Sequence, residues 1–491
     1  MRRAERERKN RTAAALVVIV CIAALAMNVG LARPASAGVA SQGSTCATLN
    51  VPSQYPTIQS AIDAANPCDT ILVAPGTYFE QLTIDKSISI VGAGAGATVL
   101  ESPATLLPDA YGNPWTIELG NAATATLTGF TLVVTLQCIG FGYAGGGIGV
   151  GGGAYLTLAS AVVTTTGLPE GAACTGGLYS YGTGLEFGLD YAVGSPPSSA
   201  LLGFGTVAGV TVSGFGFLGP GVGVGGLSNS PAGSSAVLAM DRISSSVGDV
   251  CPGVYGLCIP AVLVNNGGSA AIDHNYLTGL PGFDVDAVDV MNGAYAAITH
   301  NVIVANTMGN GVTVAFSASA SIEYNSITAG TSYNGGIAVL LYGSGDVTIS
   351  HNVIGDFECA YNSTLAAAGV CGPNFADQFQ AGGIMVLGPT GTVVESYNLV
   401  YNVDAAISGC ANCLVAHNLI MNSYDYALMC MDGSCSFGPN LVLGGAYGVA
   451  AIAYSANTAV TLSHVVIVGT SVAPFYYEVD FPGGSATIGG S

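Results

Sequence analysis

One short hydrophobic pattern returns down the second half of the chain: an apolar residue, any residue, His or Tyr, Asn, any residue, then an apolar residue. It stands as IDHNYL from 272, ITHNVI from 298, IEYNSI from 322, ISHNVI from 349 and VAHNLI from 415, with FGPNLV from 437 as a looser copy. SYNLV from 396 keeps the Tyr and Asn without the apolar lead, and LSHVVI from 462 carries Val465 in the Asn place. Asn275, Asn301, Asn325, Asn352, Asn398, Asn418 and Asn440 are thus 20–27 residues apart, except for one step of 46 that holds an insertion. Half a repeat away lies a second pattern, seen as AVLV from 261, AVDV from 287, GVTV from 311, GIAV from 336, GIMV from 383 and GVAA from 448, and earlier as GIGV from 147 and GVGV from 221. Each repeat therefore predicts two short period-2 segments separated by Gly, Ser and Asn turns, too short for helices.

Repeats of this kind bury their apolar faces by coiling, each one hydrogen-bonding in parallel with the last at about 4.8 Å. That predicts an all-β solenoid. Residues 288, 290, 312, 314, 337, 339, 384 and 386, all Val or Ile, should fill its bore. The Asn residues should stack along one corner, bonding to each other and to turn backbone, with Asn accepting the left-handed conformation of a sharp turn. Such a bore excludes charge, which accounts for a chain that is half hydrophobic yet only 8% charged.

The opening of the chain reads differently. Six basic residues between Arg2 and Arg11, an apolar stretch from Ala13 to Ala32, and Ala35-Ser36-Ala37 make a secretory signal over residues 1–37, the alternative being an uncleaved anchor. Its removal takes seven of the nine Lys and Arg and two of the 29 Asp and Glu, leaving Lys86, Arg242 and a formal charge of about −25. The expected protein is secreted, without a membrane span after cleavage. Nucleic acid and polyanions are repelled as partners, whereas neutral partners and cations are not. Twelve cysteines then remain, an even number that favours disulfides in an oxidising compartment. Proximity suggests Cys46 with Cys68, Cys138 with Cys174, Cys251 with Cys258 and Cys359 with Cys371. Cys410 either pairs with Cys413 or reaches Cys430, leaving Cys413 for Cys435; a C-x-x-C redox site is a further reading of the first two.

The stretch TIQSAIDAANPCDTILVAPGTYFEQLTIDKSISIVGAGAGATVL, 57–100, closely resembles the opening of right-handed parallel β-helix proteins of the pectin-lyase-like superfamily. The resemblance implies about a dozen coils over residues 57–470, opened by a short capping helix at 57–65, with an N-terminal segment at 38–56 and a C-terminal tail at 471–491. Gly76, Tyr78 and Glu80 form the G-x-Y-x-E arrangement that pectin methylesterases also carry, without counterparts to those enzymes' Gln-Asp and Asp-Phe segments or substrate-binding Arg. The basic catalytic residues of pectate lyases and the His-Gly and Arg-x-Lys segments of polygalacturonases are likewise missing.

Candidate chemistry centres on Asp284, Asp286 and Asp289 in GFDVDAVDVMN. The alignment of AVDV with GVTV places Asp289 on an outer strand face beside Thr313, with Asp284 and Asp286 in the turn before it. Insertions at 242–260 and 355–382 flank the region and predict a cleft. These acids read as solvated turn residues, as a calcium site, or as a catalytic acid/base pair for glycoside cleavage. His274, His300, His351, His417 and His464 share one repeat slot, which reads as a turn ladder; His274 and His300, one strand spacing apart, make a metal pair the alternative. Leu340, Met385, Leu387, Met429, Met431 and Ile452 are apolar at outward positions, and predict cover from the insertion, from Phe475, Tyr476, Tyr477 and Phe481 of the tail, or from a partner subunit. Two function classes follow: a non-catalytic scaffold or binding protein for a polysaccharide or cell-surface component, and a polysaccharide hydrolase or lyase.

Overall fold

The computed structural model describes residues 46–491 except 110–112, 136, 140–145, 168–178, 182, 189–201, 214–219, 226–232, 245–259, 280–285, 306–308, 331–335, 359–380, 410–411, 455, 481, 483 and 491. The segment expected as a signal sequence, Asp284, Phe481 and most of both insertions lie outside these residues.

Each coil holds three strands rather than the two read from the sequence. Val288–Val290 lies in one sheet (sheet I), a turn leads to Tyr295–Thr299 in sheet II, and Val302–Ala305 lies in sheet III. His300 and Asn301 are the whole corner between the second and third strands. Because that corner is only two residues long, the strands on either side fused into one motif in the sequence. Consecutive coils pair in parallel and in register, as Val288 with Val312, Ile298 with Ile322 and Ile303 with Ile327. Among the described residues sheets I and III have fourteen strands each and sheet II sixteen. Residues 471–491, expected as a tail, add Ala473–Val479 to sheet I and Ala486–Gly490 to sheet II.

The one helix among the described residues, α1 (Ile58–Ala64), covers the N-terminal end and buries Ile58, Ala61 and Ile62 against the bore. Thr57 and Ser60 form a reciprocal capping box. Glu80 adds two bonds, accepting the N–H groups of Ile58 and Gln59 at 2.8 and 2.9 Å. Tyr78 donates its hydroxyl to the Ala74 carbonyl at 3.0 Å. Of the G-x-Y-x-E residues, Glu80 thus fastens the cap. At the other end of α1, Lys86 donates to the carbonyls of Ile62 and Asp63, where a cation is favoured. No described helix is long and apolar enough to cross a membrane.

The bore is one continuous hydrophobic cluster that includes Val288, Val290, Val312, Val314, Val339, Ile384 and Val386. Ile337 departs from expectation: Val312 pairs with Val339, so Ile337 falls opposite the corner and joins a second cluster outside the bore. That second cluster holds Met385, Met429, Ala450 and Ile452, with Leu340, Leu387, Met431 and Tyr476 packed against it. Tyr476 reaches it from the last strand of the same sheet. Cys46 bonds Cys68, and Cys430 bonds Cys435, which excludes the cross-coil pairing of Cys410 with Cys430. The other expected pairs involve residues or side chains outside those described.

Candidate functional site

The Asn ladder is built as an unbroken column of buried amides. Each Oδ1 accepts the backbone N–H of the Asn one coil earlier, from Asn275 to Asn301 at 2.8 Å through Asn418 to Asn440 at 2.9 Å. Each Nδ2 from Asn275 to Asn418 also donates to the next Oδ1 and to a strand carbonyl, such as Asn301 to Ile272 at 2.7 Å. The left-handed residue is the one before the Asn, a correction to the expectation. His274, His300, Tyr324, His351, Tyr397, His417 and His464 have φ of 54–61°. Earlier coils place Gly129, Ser160, Gly209 and Met240 in the same slot with φ of 50–74°. The amide is needed on the inside for hydrogen bonding, and the backbone twist falls to its neighbour.

Those neighbours point outward and stack. His274, His300, Tyr324, His351, Tyr397 and His417 form a continuous pile of rings with centroids 4.7–5.3 Å apart. Asp273 joins its first two members, 2.7 Å from Nδ1 of His274 and 3.1 Å from Nδ1 of His300. Burial raises the Asp273 pKa, but hydrogen bonds from Thr299, His274 and His300 outweigh it and hold the carboxyl below its ordinary value.

Asp286 and Asp289 are brought together, and neither is a solvated turn acid: they are 8% and 4% exposed. Asp289 pairs with Thr313 across sheet I, as expected. Asp286 accepts from the Thr313 hydroxyl and the Asn310 N–H, both at 2.6 Å, and Asn310 in turn accepts the Ile337 N–H at 2.9 Å. Asp286 therefore begins a short corner ladder of its own. Burial raises the pKa of Asp289 well above the carboxylate range, with the charge of Asp286 and a hydrogen bond to it adding to the effect. The Oδ1 of Asp289 is buried and without a hydrogen-bond partner. Two carboxyls in direct contact are closer than the roughly 5 Å or more that separates acids bracketing a glycosidic bond.

Sequence reasoning missed the rest of this column. The register Glu118, Gly149, Glu186, Gly223, Leu263, Asp289, Thr313 runs along the outer face of sheet I. Glu186 is buried, and a Cβ on Gly223 would collide with its carboxylate. Burial and the charge of Asp109 raise Glu118 to about 7. The signal was present, because GIGV and GVGV occupy the same slot as AVDV; Gly223 clears room for the Glu186 carboxylate, and Gly149 for the Trp115 ring. Glu395 was also missed: it takes the place of the absent apolar lead in SYNLV, pairing with Ile349 and Val415 inside the bore. Both its carboxyl oxygens lack hydrogen-bond partners, and burial raises its pKa far above the usual range.

Sheet III is open. Val353, Leu399, Leu419, Leu441 and Val466 form one outward column and Tyr401, Met421, Leu443 and Val468 a second beside it. Val353, Leu441, Val466 and Val468 are 38–53% exposed. Arg242 lies 4.3 Å from the ring centroid of Tyr276, so this cation and Lys86 both have structural partners.

Residues 286–465 match the family model described as right handed beta helix region. The chain is a right-handed parallel β-helix. Among solved structures, this β-helix is similar to the A-module of the Azotobacter vinelandii mannuronan C-5 epimerase AlgE4, with 14% identity over 88% of this chain and 94% of that one and a TM-score of 0.41. It is similar to the Streptococcus pneumoniae surface protein and adhesin PfbA, with 11% identity over 86% and 95% and a TM-score of 0.39. It is also similar to a Yersinia enterocolitica family 28 exopolygalacturonase, with 10% identity over 89% and 78% and a TM-score of 0.35. No curated protein matches the β-helix in sequence.

Proposed function

We propose that this β-helix is an exported, non-catalytic scaffold that binds a neutral polysaccharide or another cell-surface component. The observation that carries the reading is the partly exposed pair of apolar columns on sheet III, Val353 to Val466 and Tyr401 to Val468. A flat strip of aliphatic side chains and one aromatic ring suits the apolar faces of sugar rings, and a chain with so few cations does not suit a polyuronide. Asp286 supports the non-catalytic half, since its oxygens hold the next coil. Incubation with a panel of neutral and acidic polysaccharides tests the reading. Retention of a neutral glycan with no new reducing ends and no unsaturated products is expected, and Leu441→Asp should abolish retention. Product formation would overturn it.

A second reading rests on the contact between Asp286 and Asp289, an acid whose pKa is raised by burial beside a hydrogen-bond acceptor. It makes Asp284, Asp286 and Asp289 the catalytic or calcium-binding acids of a polysaccharide hydrolase or lyase. Any turnover found in the panel should then fall in Asp289→Asn, and calcium should shift the melting temperature of the parent and not of that variant.

A further inference from the structure

We propose that Asp273, His274 and His300 form a binding site for one borderline transition-metal dication, with Zn2+ and Cu2+ as the best fits. The five histidines share one repeat slot, but their neighbours in that slot differ. Tyr324 separates His300 from His351, Tyr397 separates His351 from His417, and Pro439 stands between the coils of His417 and His464. Only His274 and His300 are adjacent, with ring centroids 4.7 Å apart.

Only at that pair does the residue before the first His carry a carboxylate between the two rings. Asp273 lies within hydrogen-bond distance of both Nδ1 atoms, and one ligand atom from each of the three residues falls within 4.8 Å of the others. The Thr299 hydroxyl donates to Asp273 Oδ1 at 2.7 Å and fixes the carboxylate, as the partners of metal-bound carboxylates do. The side chains of His274 and His300 are 60% and 49% exposed, so an ion can enter and the rings can tilt toward it. Two imidazoles and one carboxylate with open positions to solvent match zinc or copper; calcium requires an all-oxygen set of six or more.

The test is a zinc titration of the full chain with labelled histidine, followed by magnetic resonance and calorimetry. The imidazole signals of His274 and His300 should shift together and saturate at one equivalent, while those of His417 and His464 stay in place. His300→Ala and Asp273→Asn should each weaken binding about tenfold or more, and His417→Ala should leave it unchanged. Calcium at the same concentrations should move none of these signals. Equal perturbation of all five histidines, the same response to calcium, or unchanged affinity in Asp273→Asn would overturn the assignment. That last variant keeps the test valid should His300→Ala fail to fold.

Discussion

The backbone N–H of Asp241 donates to Oδ1 of Asn275 at 2.8 Å, so the amide ladder begins on a carboxyl. Asp241 Oδ1 accepts the Val210 N–H at 2.8 Å, just as each Asn accepts from the coil before it. Burial raises its pKa to about 7, against the opposing pull of backbone hydrogen bonds from Val210 and Ala239.

An Asn at 241 would supply the same acceptor, and its Nδ2 would face the Val207 carbonyl, the register partner of the Leu238 carbonyl that Asn275 uses. The sign of the pH effect follows from the shift. Folded Asp241 keeps a proton that the unfolded chain releases near pH 4, so its contribution is full below that pH and falls as pH rises toward 7, by up to about 4 kcal/mol. Asp241→Asn should raise the melting temperature at pH 8 and change it little at pH 4, measured by calorimetry at both.

Truncating the middle of the ladder should be costly. Asn352 accepts the N–H and the Nδ2 of Asn325 at 2.9 and 3.0 Å and donates to the Ile322 carbonyl at 2.7 Å. Asn352→Ala strands these buried groups and should cost about 2–4 kcal/mol in denaturant titration. His351→Asn, at φ 58°, loses ring stacking but suits the left-handed slot, and should change stability by under about 1 kcal/mol.

Glu395 should be replaceable with profit to stability. Its neighbours in the bore slot are Ile349 and Val415, and it has no hydrogen-bond partner there. As for Asp241, burial raises its pKa in the folded state, so its contribution to stability declines as pH climbs above about 4.5. Glu395→Val should raise the melting temperature at pH 7 and flatten its fall between pH 5 and 8.

Asp286 and Asp289 should respond in opposite ways. Burial raises the Asp289 pKa and disfavours its charged form, so Asp289→Asn should leave the melting temperature at pH 7 unchanged or slightly raised. Asp286→Ala leaves the Asn310 N–H and the Thr313 hydroxyl without their acceptor and should cost about 2–4 kcal/mol. Matched thermal melts of the two variants check the contrast.

The solenoid was legible because its two determinants are local and periodic. Val288 and Val290 report alternation within a strand, and Asn275 to Asn440 report the corner once per coil. Asp289 beside Thr313 followed from aligning two such strands. The third strand was not legible, since the corner at His300 and Asn301 is so short that the strands on either side read as one motif, ITHNVI. The candidate site was legible in residue type but not in environment. Whether an acid is solvated depends on what packs around it in the folded chain, and Asp286 and Asp289 are buried.

The amino-acid sequence by itself determined the coil: a repeat length, an apolar slot that must leave water, and an amide whose hydrogen bonds are met only by its own copy one turn away. Only the tertiary structure decided which acids are buried and which ring pair shares a carboxylate. Protonation and ligand geometry depend on distances across coils and on burial. Contacts between coils, such as Asp273 with His300 and Asp286 with Thr313, help set those quantities, and no pattern within a single repeat encodes them.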